Sequence, residues 1–116
     1  VDDDDSARSG LRRLLRSAGF RVTAFASAQD YLGYVSVEKP AVLILDVRMP
    51  GMSGLDLQKW LRKNGVALPI IFLTAFEDPQ ARKEAMAAGA SAFLHKPVDE
   101  EVLFAAIKRA LEIRPQ

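Results

Sequence analysis

The chain has 116 residues, enough for one domain over 1–116 and too few for two, and its composition of 49% hydrophobic and 27% charged residues suits a globule with a packed core. The lack of cysteine excludes disulfides and thiolate metal sites, and a single histidine, His95, argues against a multi-histidine metal site or a histidine relay. A net charge of +1 gives no global pull toward nucleic acid or membrane, no apolar run approaches a bilayer span and no signal peptide is read, so the cytoplasm is the expected compartment and no membrane partner is expected.

Helical and strand patterns alternate along the chain. An acidic block, Asp2 to Asp5, precedes Arg8, Arg12, Arg13 and Arg16. Leu11, Leu14, Leu15 and Ala18 recur at i, i+3, i+4, i+7, which predicts a helix stopped at Gly19. Arg21 to Ala26 reads as a short strand. Ser27, with Asp30 three residues on, is a weak capping box that opens a helix through about Val37. Ala41 to Leu45 is unbroken apolar sequence ending on Asp46, the pattern of a strand buried on both faces. Ser53 opens a third helix expected to carry Leu57, Trp60 and Leu61 inward and to end near Gly65. Pro69 to Thr74 is a second strongly apolar strand.

Asp78-Pro79 has the form of an N-cap followed by proline at the first helical position. The helix that follows is rich in alanine: Ala81, Ala85, Ala87 and Ala88. Ser91 to Leu94 is a short strand, Pro97 marks a turn, and Asp99-Glu100-Glu101 put negative charge at the start of a last helix. Leu103, Ala106, Ile107, Ala110 and Leu111 line its inner face. The alternation predicts a parallel sheet with helices on both sides, a doubly wound α/β domain. Such a domain wants an apolar strand before the first helix. Only Val1 precedes the acidic block, so the first strand is expected to be truncated or to begin upstream.

In an open parallel sheet, ligands bind beyond the carboxyl ends of the strands. Asp2 and Asp3 would follow the stub of the first strand. Asp46, Thr74 and His95-Lys96-Pro97 would follow the later ones. Singly, each has an ordinary explanation: a helix cap, a β-forming threonine, a solvated lysine. Asp46 is the hardest to dismiss, because a carboxylate beside a buried strand is costly unless something pairs with it. Three carboxylates together would repel one another and call for a cation. Oxygen ligands alone point to Mg2+ or Mn2+. A divalent ion and Lys96 would balance the charge and equip the site to handle a phosphoryl group. Thr74 could donate to a phosphoryl oxygen, and Asp46 could be the nucleophile, giving an acyl phosphate.

These residues carry a resemblance. The acidic pair Asp2-Asp3, the segment LDVRMPGMSG around Asp46, the LTA of Leu73 to Ala75 and the KP of Lys96-Pro97 resemble the receiver domain of two-component response regulators, the CheY-like family, over nearly the whole chain. The resemblance implies a flavodoxin-like five-stranded parallel sheet in the order 2-1-3-4-5. It also implies that Asp46 takes a phosphoryl group from a histidine kinase. Asp3 would bind Mg2+ directly, Asp2 mostly through water, and the backbone carbonyl of Arg48 would be a further ligand. Thr74 and Lys96 would hold the phosphoryl oxygens, and Phe93 matches the aromatic switch position, with a plain core residue as its ordinary alternative. Phosphorylation would reshape the face made by the fourth helix, the fifth strand and the fifth helix. Arg48 and Phe76 match the positions that flank the path of an attacking water. Both are bulky, so slow self-dephosphorylation is expected.

The resemblance makes this a phosphoacceptor signalling domain, not a turnover enzyme. A metal-dependent phosphatase of the DxD type would want an acid at position 48, where Arg48 stands. A flavodoxin-like cofactor binder would want a Ser/Thr/Gly-rich phosphate loop where the acidic block lies. A free-standing phosphoryl shuttle and a degenerate receiver used only for binding are the remaining alternatives; the full residue set argues against the second. GFRVTAFASAQDYL and DVRMPGMSG look most like receivers of the nitrogen-fixation regulator group, which carry LuxR-type helix-turn-helix outputs. That implies control of transcription, with DNA contacted only through an output domain outside this sequence, and pairing of two copies on phosphorylation.

Overall fold

The structure is a computed structural model and describes residues 1–34 and 40–112. Among the described residues, five helices and three strands follow one another as α1 (Asp5–Ser17), α2 (Ala28–Gly33), β1 (Leu43–Leu45), α3 (Gly54–Lys63), β2 (Ile70–Thr74), α4 (Pro79–Ala87), β3 (Ala92–His95) and α5 (Glu100–Glu112). The strands form one parallel sheet in the order β1-β2-β3, with Leu43 opposite Ile70 and Thr74 opposite His95. Helix α2 ends at Gly33, where Tyr34 turns extended, short of the end expected near Val37, a residue that itself lies outside the described ones, as does the Arg114-Pro115-Gln116 tail.

The strands alternate their side chains between two cores, as a period of two requires. Leu43, Leu45, Ile70, Phe72 and Phe93 face one side, where they pack with Ala28 of α2, Leu57 and Leu61 of α3, and Ala81 and Ala85 of α4. Ile71, with half-buried Ile44, Ala92 and Leu94, faces the other, against Leu15 of α1 and Leu103, Ile107 and Ala110 of α5. The sheet is therefore covered on both faces, the doubly wound arrangement that the alternation predicts.

Two of the expected strands form no ladder among the described residues. Val1 stands at the place of the first: its nitrogen donates to the Ile44 carbonyl at 2.7 Å, and Asp46 N–H donates to the Val1 carbonyl at 3.0 Å. On its other side, Asp2 N–H donates to the Phe25 carbonyl at 3.1 Å. Val1 and Asp2 thus sit between residue 25 and β1, and the spatial order 2-1-3-4-5 survives. The segment expected as a strand over Arg21 to Ala26 carries no ladder among the described residues.

Helix starts follow the local chemistry. Asp4 caps α1, its carboxylate accepting from Ala7 N–H at 3.1 Å, and Asp5 in the first turn pairs with Arg8. Ser27 accepts from Asp30 N–H at 3.0 Å. Ser53 and Asp56 make a complete capping box at α3. Asp78 caps α4 with Pro79 in its first turn, as expected. One inward assignment is corrected. Trp60 is 41% exposed, because the buried stripe of α3 runs Gly54, Leu57, Gln58, Leu61, and position 60 lies off it. Gln58 takes the inner place instead and donates to the Ala85 carbonyl of α4 at 3.0 Å.

Candidate functional site

The carboxyl ends of Val1 and the three strands meet at one edge of the sheet. Asp46 follows β1 directly and is 9% exposed. Its Oδ1 accepts from Val47 N–H at 2.7 Å. Burial, then the nearby Asp2 carboxylate, push the Asp46 carboxyl above its ordinary value, while Lys96 and the N–H groups of Val47 and Arg48 oppose the rise. Asp2 is 7% exposed and held from three directions. Its Oδ2 accepts from Lys96 Nζ at 2.6 Å, its Oδ1 from Asp4 N–H at 3.0 Å, and its carbonyl from the Arg8 guanidinium at 2.8 Å. Asp3 is exposed. The acidic block therefore divides its labour: Asp2 and Asp3 turn to the sheet edge, while Asp4 and Asp5 serve the helix.

One carboxylate oxygen from each of Asp2, Asp3 and Asp46 lies within 4.8 Å of the others. The donor set is oxygen only, and its charges repel. These residues fit a hard divalent cation.

Thr74 ends β2 and is 1% exposed. Its Oγ1 accepts from Phe76 N–H at 3.3 Å, and its carbonyl accepts from Lys96 N–H at 2.7 Å, which locks the ends of β2 and β3 together. Lys96 precedes a cis bond to Pro97. Phe93 is 9% exposed, and its ring lies 5.8 Å from that of Phe72, in the core under Ala81 and Ala85 of α4. Arg48 and Phe76 touch each other: the guanidinium carbon stands 4.7 Å from the Phe76 ring centroid, and Arg48 also pairs with Asp78 at 3.7 Å.

Gly54, Asp78 and Arg8 were not legible as parts of this region. A Cβ on Gly54 would stand 2.0 Å from the Asp46 carbonyl oxygen and 3.1 Å from the Phe72 ring. Only a glycine lets the start of α3 approach this closely, and Gly54 N–H donates to the Val47 carbonyl at 2.9 Å. Its place at the opening of a helix, just after the Ser53 cap, is a weak signal for such contact. Asp78 was readable as a cap, and its second partner, Arg48, comes from another loop.

Residues 1–108 match the response regulator receiver domain family. The response regulator protein TmoT of Ectopseudomonas mendocina is 46% identical over 116 residues, covering 100% of this chain and 53% of that protein. The transcriptional regulatory protein FixJ of Azorhizobium caulinodans is 40% identical over 111 residues, 96% of this chain and 53% of its own length. A structure of the response regulator StyR aligns with 98% of this chain and 58% of its own, with a TM-score of 0.89 and 47% identity. A crystal structure of FixJ-N aligns with 100% of this chain and 93% of its own, with a TM-score of 0.90 and 36% identity. The chain belongs to the receiver domain family of two-component response regulators and has its CheY-like α/β fold. It is a signalling module, and it spans about half the length of the curated relatives it matches. Among the described residues, no helix is long and apolar enough to cross a membrane.

Proposed function

We propose that Asp46 is the phosphoacceptor and that Asp2, Asp3, Asp46 and the Arg48 carbonyl hold Mg2+ or Mn2+. The observation that carries this reading is the convergence of the three carboxylates within 4.8 Å, with the Lys96 ammonium on Asp2 at 2.6 Å. A bound divalent ion supplies positive charge against which carboxylate and phosphoryl oxygens can approach. The chain's own part is positioning. A carboxylate oxygen of Asp46 attacks the phosphorus of a phosphohistidine on a histidine kinase. The P–O bond forms as the P–N bond breaks, and the leaving imidazole takes up a proton. Thr74 Oγ1–H and Lys96 Nζ then donate to phosphoryl oxygens, and Lys96 leaves Asp2 to do so. Recruiting Thr74 shifts its loop, and the Phe93 ring packs into the room released. That biases the face of α4, β3 and α5, through which two copies pair.

Arg48 and Phe76 stand over the approach of water to the phosphoryl group. Bulk there slows in-line attack, so the Arg48→Ala, Phe76→Ala double variant should hydrolyse its phosphoryl group roughly threefold faster or more than the wild type. An equal half-life would defeat this part of the reading. The output is transcriptional control through a DNA-binding region beyond this sequence, as the names of FixJ and of the DNA-binding transcriptional regulator NtrC suggest for those relatives. The domain works on itself and turns over no separate substrate.

A thermal-shift experiment tests the site. Mg2+ at about a hundred times its Kd should stabilise the wild type by about 2.7 kcal/mol. Beryllofluoride, a phosphoryl mimic, should add to that only with Mg2+ present. Asp3→Ala should lose the Mg2+ response, and Asp46→Asn the beryllofluoride response. Full responses in both variants would refute the assignment.

A further inference from the structure

We infer that Asp78 and Arg48 form a direct tie between the phosphoacceptor loop and the start of α4, so that events at Asp46 reach α4 without passing through Thr74 and Phe93. The inference rests on the reading of Asp46 as phosphoacceptor. One carboxylate does two jobs here. Asp78 Oδ1 accepts from Ala81 N–H at 3.0 Å, capping α4, while Oδ2 lies 3.7 Å from the Arg48 guanidinium. Arg48 is two residues beyond Asp46, next to Val47, whose N–H donates to Asp46 Oδ1 at 2.7 Å. Its guanidinium is steadied on the Phe76 ring at 4.7 Å, and Phe76 N–H bonds to Thr74 Oγ1 at 3.3 Å. The path thus runs from the Asp46 carboxylate along the main chain at Val47 to Arg48, and through Asp78 into the first turn of α4.

Such a tie is weak in itself. The Arg48 side chain is 58% exposed and that of Asp78 27%, so solvent and salt screen the pair. It matters because α4 is lightly held. Only Ala81 and Ala85 are buried along it, and its other anchors are the Gln58 bond to the Ala85 carbonyl and the Arg82 bond to the Phe93 carbonyl at 3.2 Å. A helix that buries two methyl groups can be biased by a small force. Moving the Arg48 main chain when Asp46 and its carbonyl take new partners would pull on, or release, the α4 cap.

Hydrogen exchange of the first-turn amides of α4, with and without Mg2+ and beryllofluoride, tests the tie. Asparagine caps a helix about as well as aspartate, so Asp78→Asn keeps the cap and removes the charge. The wild type should show a ligand-induced change in exchange at Ala81 and Arg82. Asp78→Asn and Arg48→Ala should each lose about half of it or more, and the double variant should lose no more than either single one, as members of one contact do. In the ligand-free state Asp78→Asn should exchange like the wild type, whereas Asp78→Ala should exchange faster. An undiminished change in Asp78→Asn and Arg48→Ala, with stabilisation by beryllofluoride intact, overturns the tie and leaves Asp46 standing. Equal acceleration in ligand-free Asp78→Asn and Asp78→Ala overturns it too, since Asp78 would then act through its charge on the helix alone. A wild type that gains neither stability nor an exchange response from beryllofluoride overturns the Asp46 reading and the tie together.

Discussion

Asp46 stands where β1 stops, and its surroundings tax its charge. Burial and Asp2 raise its carboxyl above the ordinary value of 3.8. A carboxyl raised in the folded state favours folding below its unfolded pKa, and that contribution is lost as pH rises through the folded value. In chelator, Asp46→Asn should therefore melt above the wild type at neutral pH, with the gap closing as pH falls toward the ordinary carboxylate range. With Mg2+ the order should reverse, since the ion stabilises only the protein that keeps its ligand. Equal melting temperatures across pH in chelator would contradict the electrostatic account. Gly54 sets a second test. Gly54→Ala should cost about 1–3 kcal/mol by forcing the Asp46 carbonyl aside, and slow phosphorylation with it. Gly10→Ala in α1, where nothing lies within 4 Å, should instead stabilise by about 0.5–1 kcal/mol. Asp46, Thr74 and Lys96 were legible because strand ends can be read from apolar runs. Gly54 was not, because the contact that demands it is tertiary.

At the scale of the element, caps read better than faces. Ser27, Ser53 and Asp78 all begin helices as their sequence contexts imply. The Ser53–Asp56 box is complete on both sides, so Ser53→Ala should destabilise by about 1 kcal/mol in denaturant melts. No loss would mean that the packing of Leu57 and Leu61 alone sets where α3 begins. Trp60 misled the reading of α3 because hydrophobicity outranked phase: the stripe of positions 54, 57, 58 and 61 buries a glutamine and leaves the indole half out. A glutamine is admitted because its amide finds the Ala85 carbonyl, a partner that no pattern along one helix reveals. The stretch around Phe25 shows the converse. It has strand composition, but a strand is a relation between two segments, and here the Phe25 carbonyl meets Asp2 N–H without a ladder forming.

For the whole molecule, a two-faced core holds one busy edge. β2 is buried at every residue, while α4 buries only Ala81 and Ala85, so a heavily packed strand and a lightly packed helix lie side by side. On the proposed function, that contrast suits a module that keeps Asp46, Thr74 and Lys96 in place while its surface changes. The alternation of strand and helix patterns made this architecture readable from sequence, and the residue set at the strand ends made the family readable. The link from Arg48 to Asp78 was not readable, because it joins two loops that only the parallel sheet brings together. The most direct test of the central claim is intact mass after incubation with a small acyl phosphate donor, with Mg2+ and then with chelator, beside Asp46→Asn. A single phosphoryl adduct that needs the metal and is absent from Asp46→Asn is the result expected. An adduct that persists in Asp46→Asn, or none on the wild type, would contradict Asp46 as the phosphoacceptor.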